Sequence, residues 1–355
     1  MFKKREDDMT TRRDVMMGGA ALAAASAMPA FAADKPKSAL GTSQTALGHY
    51  MRSLRANGGK IDPIQVVDHV HDLGGGGVQF TVPLDADLKK LRARLDHNRM
   101  FIQGDLDLLT RHMNDLPAFE QALKNYKALG ADCVRVVCFV GRRYETFASL
   151  QAYKDWHVSA LASLDACLPV AERVGIALAM ENHKDRAVDE EVEILQKYSS
   201  QHLGANVDFG NNVAMCDDPM DVITKLAPYA KATHLKNMAV QNYTDGFLLS
   251  EVLPEDGFMD IAAMWQVLKK ANPAIKPVHE MITRDALKVP VLSDKYWTTW
   301  PDRGGKYLAD TIRLVNANQS KKSLPVISTL SPEAQAQAED SNNSRYFDWA
   351  KTALA

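Results

Sequence analysis

The 355-residue chain has only four cysteines and no CxxC pair, which excludes a disulfide-stapled scaffold and offers no thiolate metal site. No uninterrupted apolar run reaches the roughly 18 residues that a membrane helix needs. Blocks of like charge are missing and the net charge is −2, which argues against a dedicated nucleic-acid binder. A glycine-rich phosphate turn after an early strand is missing too, so a doubly wound nucleotide-binding sheet is the weaker alternative. The run Gly74–Gly77 closes a helical pattern instead of opening one. What remains is globular composition, 46% hydrophobic and 24% charged. Length alone suggests two domains, yet an α/β barrel often uses about 250 residues or more as one.

Residues 1–32 read as an export signal. Lys3, Lys4 and Arg5 open it, and Thr11-Arg12-Arg13-Asp14-Val15-Met16-Met17 is a twin-arginine box. A weakly apolar stretch to Met28 follows, and Ala30-Phe31-Ala32 is a small-x-small cleavage site that would start the mature chain at Ala33. Removal of the segment leaves 37 basic against 40 acidic residues. The reading implies the twin-arginine machinery as a partner, a periplasmic destination and a protein that folds before export. Cys133 and Cys138 share one apparent strand at an odd spacing, so they face opposite ways and do not pair.

Apolar runs at 39–43, 77–81, 101–105, 133–138, 176–181, 204–208, 231–236 and 276–281 alternate with helical patterns. The helical patterns are Ile64–Leu73, Leu88–Leu95, Phe119–Leu129, Leu150–Val174, Val188–Tyr198, Pro219–Tyr229, Ile261–Ala271 and Gly305–Ala317. Eight strands each followed by a helix predict a (β/α)8 TIM barrel over 33–318, with 319–355 as a C-terminal extension. Strand parity agrees with a closed ring: Ala177, Ala179 and Glu181 share one face, Leu178 and Met180 the other. Residues 239–260 and 283–304 are expected as long loops at the C-terminal mouth. The second holds Arg284, Lys295, Tyr296, Trp297 and Trp300, whose aromatic rings either cover the barrel or stack on a sugar. The tail, ending in an amphipathic stretch at Ser344–Leu354, is an extension or a homo-oligomer contact; the sequence leaves both open.

Glu181, Asp208, His234 and Glu280 stand at the ends of the last four strands, spaced by 27, 26 and 46 residues. The first two spacings are single βα repeats and the third is one repeat plus a long loop, so all four converge on one half of the rim. Three carboxylates and an imidazole in one place repel unless a cation joins them. An oxygen-rich set with one histidine suits Mn²⁺ or Mg²⁺, with Co²⁺ admissible, ahead of structural Zn²⁺. His183 lies on the side of Glu181 and is a candidate substrate contact, as are Lys236 and Arg284. His279 has the opposite parity from Glu280 and is expected to face the helix layer.

The order Glu181-Asn182-His183, Asp208-Phe209-Gly210-Asn211, His234-Leu235-Lys236, Glu280 resembles the xylose isomerase-like TIM barrels, among them ketose 3-epimerases, hydroxypyruvate isomerases and inosose dehydratases. The turn Leu253–Asp260 is similar to the family's glycine-acidic turn before helix seven. The resemblance covers most of 39–317 and implies one metal on Glu181, Asp208, His234 and Glu280. In the epimerase branch it further implies proton transfer by Glu181 and Glu280. The sequence departs from that branch at Val240, where an arginine is common, and at Asn211, where a histidine is common.

The expected activity is therefore a metal-dependent isomerase or epimerase acting on a small sugar or keto sugar. A lyase on the same scaffold, eliminating a leaving group from a 3-keto sugar or glycoside, needs the same base and metal. A noncatalytic carbohydrate-binding barrel is the reading from another class. Replacing Arg12 and Arg13 with lysine is expected to abolish periplasmic accumulation in cell fractionation; an unchanged yield of mature protein overturns the export reading.

Overall fold

The computed structural model describes residues 38–56, 59–139 and 141–354. The expected signal and cleavage site lie outside them. Seven parallel strands follow chain order: β1 (Gly41–Ser43), β2 (Gly77–Phe80), β3 (Phe101–Leu106), β4 (Cys133–Val136), β5 (Ala177–Glu181), β6 (Leu203–Asp208) and β7 (Ala230–His234). An antiparallel hairpin, β8 (Asn237–Tyr243) and β9 (Gly246–Val252), precedes the eighth barrel strand, β10 (Val278–His279). β10 pairs with β1. On its other side Leu235 N–H donates to Val278 O at 2.8 Å and Glu280 N–H to Leu235 O at 3.0 Å, which closes the ring. A short β11 (Leu287–Val289) adds to β9.

The helices are α1 (Gly48–Ala56), α2 (Pro63–Leu73), α3 (Leu88–Asn98), α4 (Leu109–His112), α5 (Leu116–Ala128), α6 (Arg143–Thr146) and α7 (Leu150–Val174). They continue with α8 (Val188–Tyr198), α9 (Pro219–Leu226), α10 (Ile261–Ala271), α11 (Asp294–Trp297), α12 (Gly305–Ala317) and α13 (Pro332–Ala353). Their ends follow from local chemistry. At α2 the Asp62 carboxylate accepts from Ile64 N–H at 2.9 Å, Pro63 supplies a preset φ, and Gly74 ends the helix at φ 102°. At α10 Asp260 accepts from Ala263 N–H at 2.9 Å.

Alternation sorts the strand residues as expected. Cys133, Ala177, Ala179 and Ala232 form a small cluster inside the ring, while Leu178 and Met180 join the outer core under the helices. Cys138 lies beyond the end of β4 and packs in that outer core. All four cysteines are free and buried.

One expectation changes, and two that were open become specific. The two long connections are not plain loops: their parts form the β8–β9–β11 sheet, and β8 starts one residue after Lys236. The aromatic residues of 283–304 form the interior of this cover. Tyr296 is fully buried, stacks on Tyr144 with ring centroids 5.2 Å apart and donates to Ala214 O at 2.8 Å. Trp300 is buried against Arg143, so neither ring is free to receive a sugar. The tail is an extension that packs on the barrel. α12 packs on β8, whereas α13 lies over strand eight and beside α1 and α2. His279 faces outward as expected, and there it stacks on Tyr346 at 4.6 Å and meets the edge of Phe347. Glu339 accepts from the N–H groups of His49 and Tyr50 at 2.8 and 2.9 Å, tying α13 to the start of α1. The residues after 319 thus complete the barrel wall.

The turn before α10 is fixed by Asn237, which donates to Pro254 O and Met259 O at 2.7 and 3.0 Å and accepts from Met259 N–H at 3.0 Å. A Cβ on Gly257 would stand 2.1 Å from Asn237 Cγ, so this close approach requires glycine.

Phe347→Ala is expected to lower unfolding stability by about 3–5 kcal/mol in denaturant titration, the usual cost of deleting a buried aromatic ring. Unchanged stability would mean that α13 merely rests on the barrel.

Candidate metal centre

Glu181, Asp208 and His234 are the last residues of β5, β6 and β7, and Glu280 directly follows β10. All four are buried, and each offers one donor atom within 4.8 Å of the others. His234 Nδ1 stands 3.4 Å from Glu181 Oε1, 3.7 Å from Asp208 Oδ2 and 3.3 Å from Glu280 Oε1. Ligands about 2.1 Å from one small divalent ion stand roughly 3–4 Å apart. The opposite nitrogen, Nε2, contacts Gln79 Oε1 at 2.6 Å. The Gln79 amide nitrogen donates to Gln103 Oε1 and Asn206 Oδ1, so Gln79 Oε1 is the acceptor and Nε2 carries the proton. The Nδ1 lone pair then aims at three carboxylates and has no hydrogen-bond partner, and Asp208 Oδ2 has only the Lys236 ammonium, 2.8 Å away. A divalent cation fits this donor set and satisfies both atoms.

Each carboxylate is held from behind. Glu181 Oε2 accepts from Arg135 Nε at 2.7 Å and also from Arg135 Nη2, and Glu181 Oε1 accepts from Asn211 Nδ2 at 2.9 Å. Arg135 also donates to Asp105 Oδ1 at 2.8 Å. Asp208 Oδ1 takes the N–H groups of Gly210 and Asn211 at 2.9 and 2.7 Å, which shapes the turn after β6. Lys236 Nζ donates to Glu280 Oε2 at 2.8 Å and sits 2.8 Å from Asp208 Oδ2.

The charges respond accordingly. Burial disfavours ionised Glu181, but the Arg135 and His234 charges outweigh it and hold the carboxyl well below its usual range. Burial likewise opposes ionised Glu280, and His234 and Lys236 override it. Burial alone would keep His234 neutral; Glu280 and Glu181 instead raise its proton affinity well above the ordinary value. Burial pushes Asp105 up to about 6 against the pull of Arg135.

Of the other candidates, Lys236 is fully buried and committed to carboxylates. Arg284 is turned to Glu251 on β9, at 2.5 and 3.1 Å. His183 is half-buried with Nδ1 unpartnered, and burial, aided by Lys184, lowers its pKa to about 3. It is therefore a neutral ring able to accept or donate one bond. Gln79, Asp105, Arg135, Lys184 and Glu251 were not singled out in the sequence. Gln79, Asp105 and Arg135 had a signal: a polar residue on the alternate, inward face of an apolar strand.

Because Glu280 and Glu181 favour a second proton on His234, at Nδ1, metal binding competes with that proton, and affinity falls as pH falls. Titration with Mn²⁺ at pH 7 is expected to saturate at one ion per chain and release about one proton. Asp208→Asn keeps an acceptor for the turn but removes the charge, and should abolish stoichiometric binding. Full occupancy in that variant would contradict the site.

The comparisons with known proteins bear on the fold. Residues 67–293 match the family model described as xylose isomerase-like TIM barrel. A 3-oxo-isoapionate decarboxylase from Pectobacterium atrosepticum is 27% identical over 198 residues, spanning 55% of this chain and 66%, just under two thirds, of that protein. D-psicose 3-epimerase from Clostridium cellulolyticum, solved with D-tagatose, superposes with a TM-score of 0.56 at 12% identity, covering 88% of this chain and 98% of that one. L-ribulose 3-epimerase gives 0.50 at 14% identity, covering 78% and 93%. Such identities speak to the fold, whereas the family model spans more than half of the sequence: the chain belongs to the xylose isomerase-like TIM barrel family.

Proposed function

We propose that the protein is a divalent-metal-dependent sugar isomerase or epimerase that moves a proton at the carbon beside a carbonyl. The observation that carries this reading is the convergence of Glu181 Oε1 and Glu280 Oε1 on His234 Nδ1 from strands five and eight. A bound divalent ion, for which Mn²⁺ is the first choice, supplies Lewis-acid polarisation of a carbonyl and its neighbouring hydroxyl. One glutamate removes the proton and the other returns it from its own side, as inversion requires. Arg135 occupies Glu181 Oε2, and Oε1, which also accepts from Asn211, is the oxygen turned toward the centre. Lys236 occupies Glu280 Oε2 in the same way. The buried Lys236 ammonium also favours negative charge developing on a substrate oxygen.

The lyase reading uses the same first step, followed by loss of a leaving group. The decarboxylase relative supports keeping it, since decarboxylation beside a carbonyl also yields a stabilised carbanion. We place the mature protein in the periplasm on the strength of the Arg12-Arg13 pair and the cleavage site.

Solvent deuterium is expected to enter a keto-sugar substrate at the carbonyl-adjacent carbon. Glu181→Gln and Glu280→Gln should each reduce turnover by about 10²–10⁴-fold. In Glu280→Gln the single amide oxygen is claimed by Lys236, so rates must be read at saturating Mn²⁺ with metal content measured. Neither exchange nor a substrate deuterium isotope effect on turnover would overturn the proton-transfer reading. Binding of sugars without any turnover would favour the noncatalytic barrel.

A further inference from the structure

Lys184 follows Glu181 by three residues, in the segment between β5 and α8. It is 4% exposed. Its ammonium donates to Asn211 Oδ1, and Lys236 donates to that same oxygen at 3.1 Å. Two buried cations thus share one neutral acceptor. Lys236 has its carboxylates, but among the described residues no carboxylate lies within ion-pair distance of Lys184. An ammonium has three donors, and Lys184 uses one of them on the described residues. Asn211 also donates to Glu181 Oε1 at 2.9 Å, which places Lys184 at the candidate metal centre. A buried, unpaired cation is costly unless something neutralises it.

The charge count points the same way. Arg284 and Glu251 cancel each other. Around the centre, with His234 neutral as it must be to ligate a metal, Asp105 and the three ligand carboxylates then face Arg135, Lys236 and Lys184, for a net charge of −1. A divalent ion turns this into +1 among buried side chains. A ligand with one negative charge balances the sum. A phosphate monoester, at roughly −1.5 to −2, overshoots it.

We propose that Lys184 is an anion-binding residue of this centre and that the substrate is a sugar acid, a keto sugar carrying one carboxylate. The two free ammonium donors grip the carboxylate while Asn211 holds the third. Asn211 at the same time donates to Glu181 Oε1, so it sets the lysine at a fixed offset from the ligand cluster. The assignment rests on the reading of the centre as a metal site for keto sugars and names its substrate class.

The test is calorimetric binding to the Mn²⁺-loaded full-length protein and to Lys184→Met. The probes are D-fructose and two acids on the same six-carbon frame, 2-keto-D-gluconate and D-fructuronate, which carry the carboxylate at opposite ends. D-fructose 6-phosphate is the fourth. Wild type should bind one of the acids about 10- to 100-fold more tightly than fructose, the range of a charge-assisted hydrogen bond. Lys184→Met should lose that preference while keeping its metal, its thermal midpoint and its affinity for fructose. Absence of an acid preference in wild type, its survival in Lys184→Met, or tighter binding of the phosphate overturns the assignment. The wild-type comparison stands even if the variant fails to fold. Metal content on the same samples separates the two readings: a metal-free protein overturns the metal centre, whereas a loaded one without acid preference overturns only the role of Lys184.

Discussion

One imidazole nitrogen, His234 Nδ1, faces oxygens of Glu181, Asp208 and Glu280 at 3.3–3.7 Å in a buried site. Two like charges 4 Å apart repel by about 4 kcal/mol at an effective dielectric of about 20. Three carboxylates cannot share that space unless other groups hold them. Arg135 restrains Glu181 and Asp105 together, Lys236 restrains Glu280, and two backbone N–H groups restrain Asp208. Removing one partner from such a buried set typically costs about 3–5 kcal/mol, because it leaves an uncompensated charge. The inward faces of the strands therefore change character with height. Small residues fill the ring below, and the ionic network fills the mouth.

The cover over the mouth is built into the same network. β7 ends at His234, Lys236 reaches the carboxylates, and β8 begins at Asn237, which fixes the turn into α10. Farther along the hairpin, β9 presents Glu251 to Arg284 from the segment after β10. The aromatic cluster of Tyr144, Tyr296 and Trp300 gives this cover an apolar interior of its own. Buried aromatic area makes the cover a packed element. Exclusion of water in turn strengthens every charge interaction beneath it.

The strands, the main helices and the convergence of Glu181, Asp208, His234 and Glu280 were legible because their signals are local. A strand shows its two faces by alternation, so Ala179 and Glu181 could be assigned inward and His279 outward. Helix ends such as α7, α8 and α10 follow from periodicity and short-range capping, which depend on neighbours within one turn. Repeat spacing brought Glu181, Asp208, His234 and Glu280 to one level of the rim. The roles of Arg135, Gln79 and Lys184 were not legible, since their partners lie 46, 155 and 27 residues away. Arg284 illustrates the converse: its position near the mouth was right, yet Glu251 had already claimed it.

The sequence by itself thus determined a ring of eight strands and the residues that converge at its mouth. It could do so because alternation and repeat length are properties of one stretch of chain. Only the tertiary structure decided that 237–243, 246–252 and 287–289 form a sheet, that α13 covers strand eight, and which cation answers which carboxylate. Those outcomes depend on register, ring closure and competition for partners among segments far apart in sequence. No local pattern encodes which of several nearby charges a buried side chain will meet.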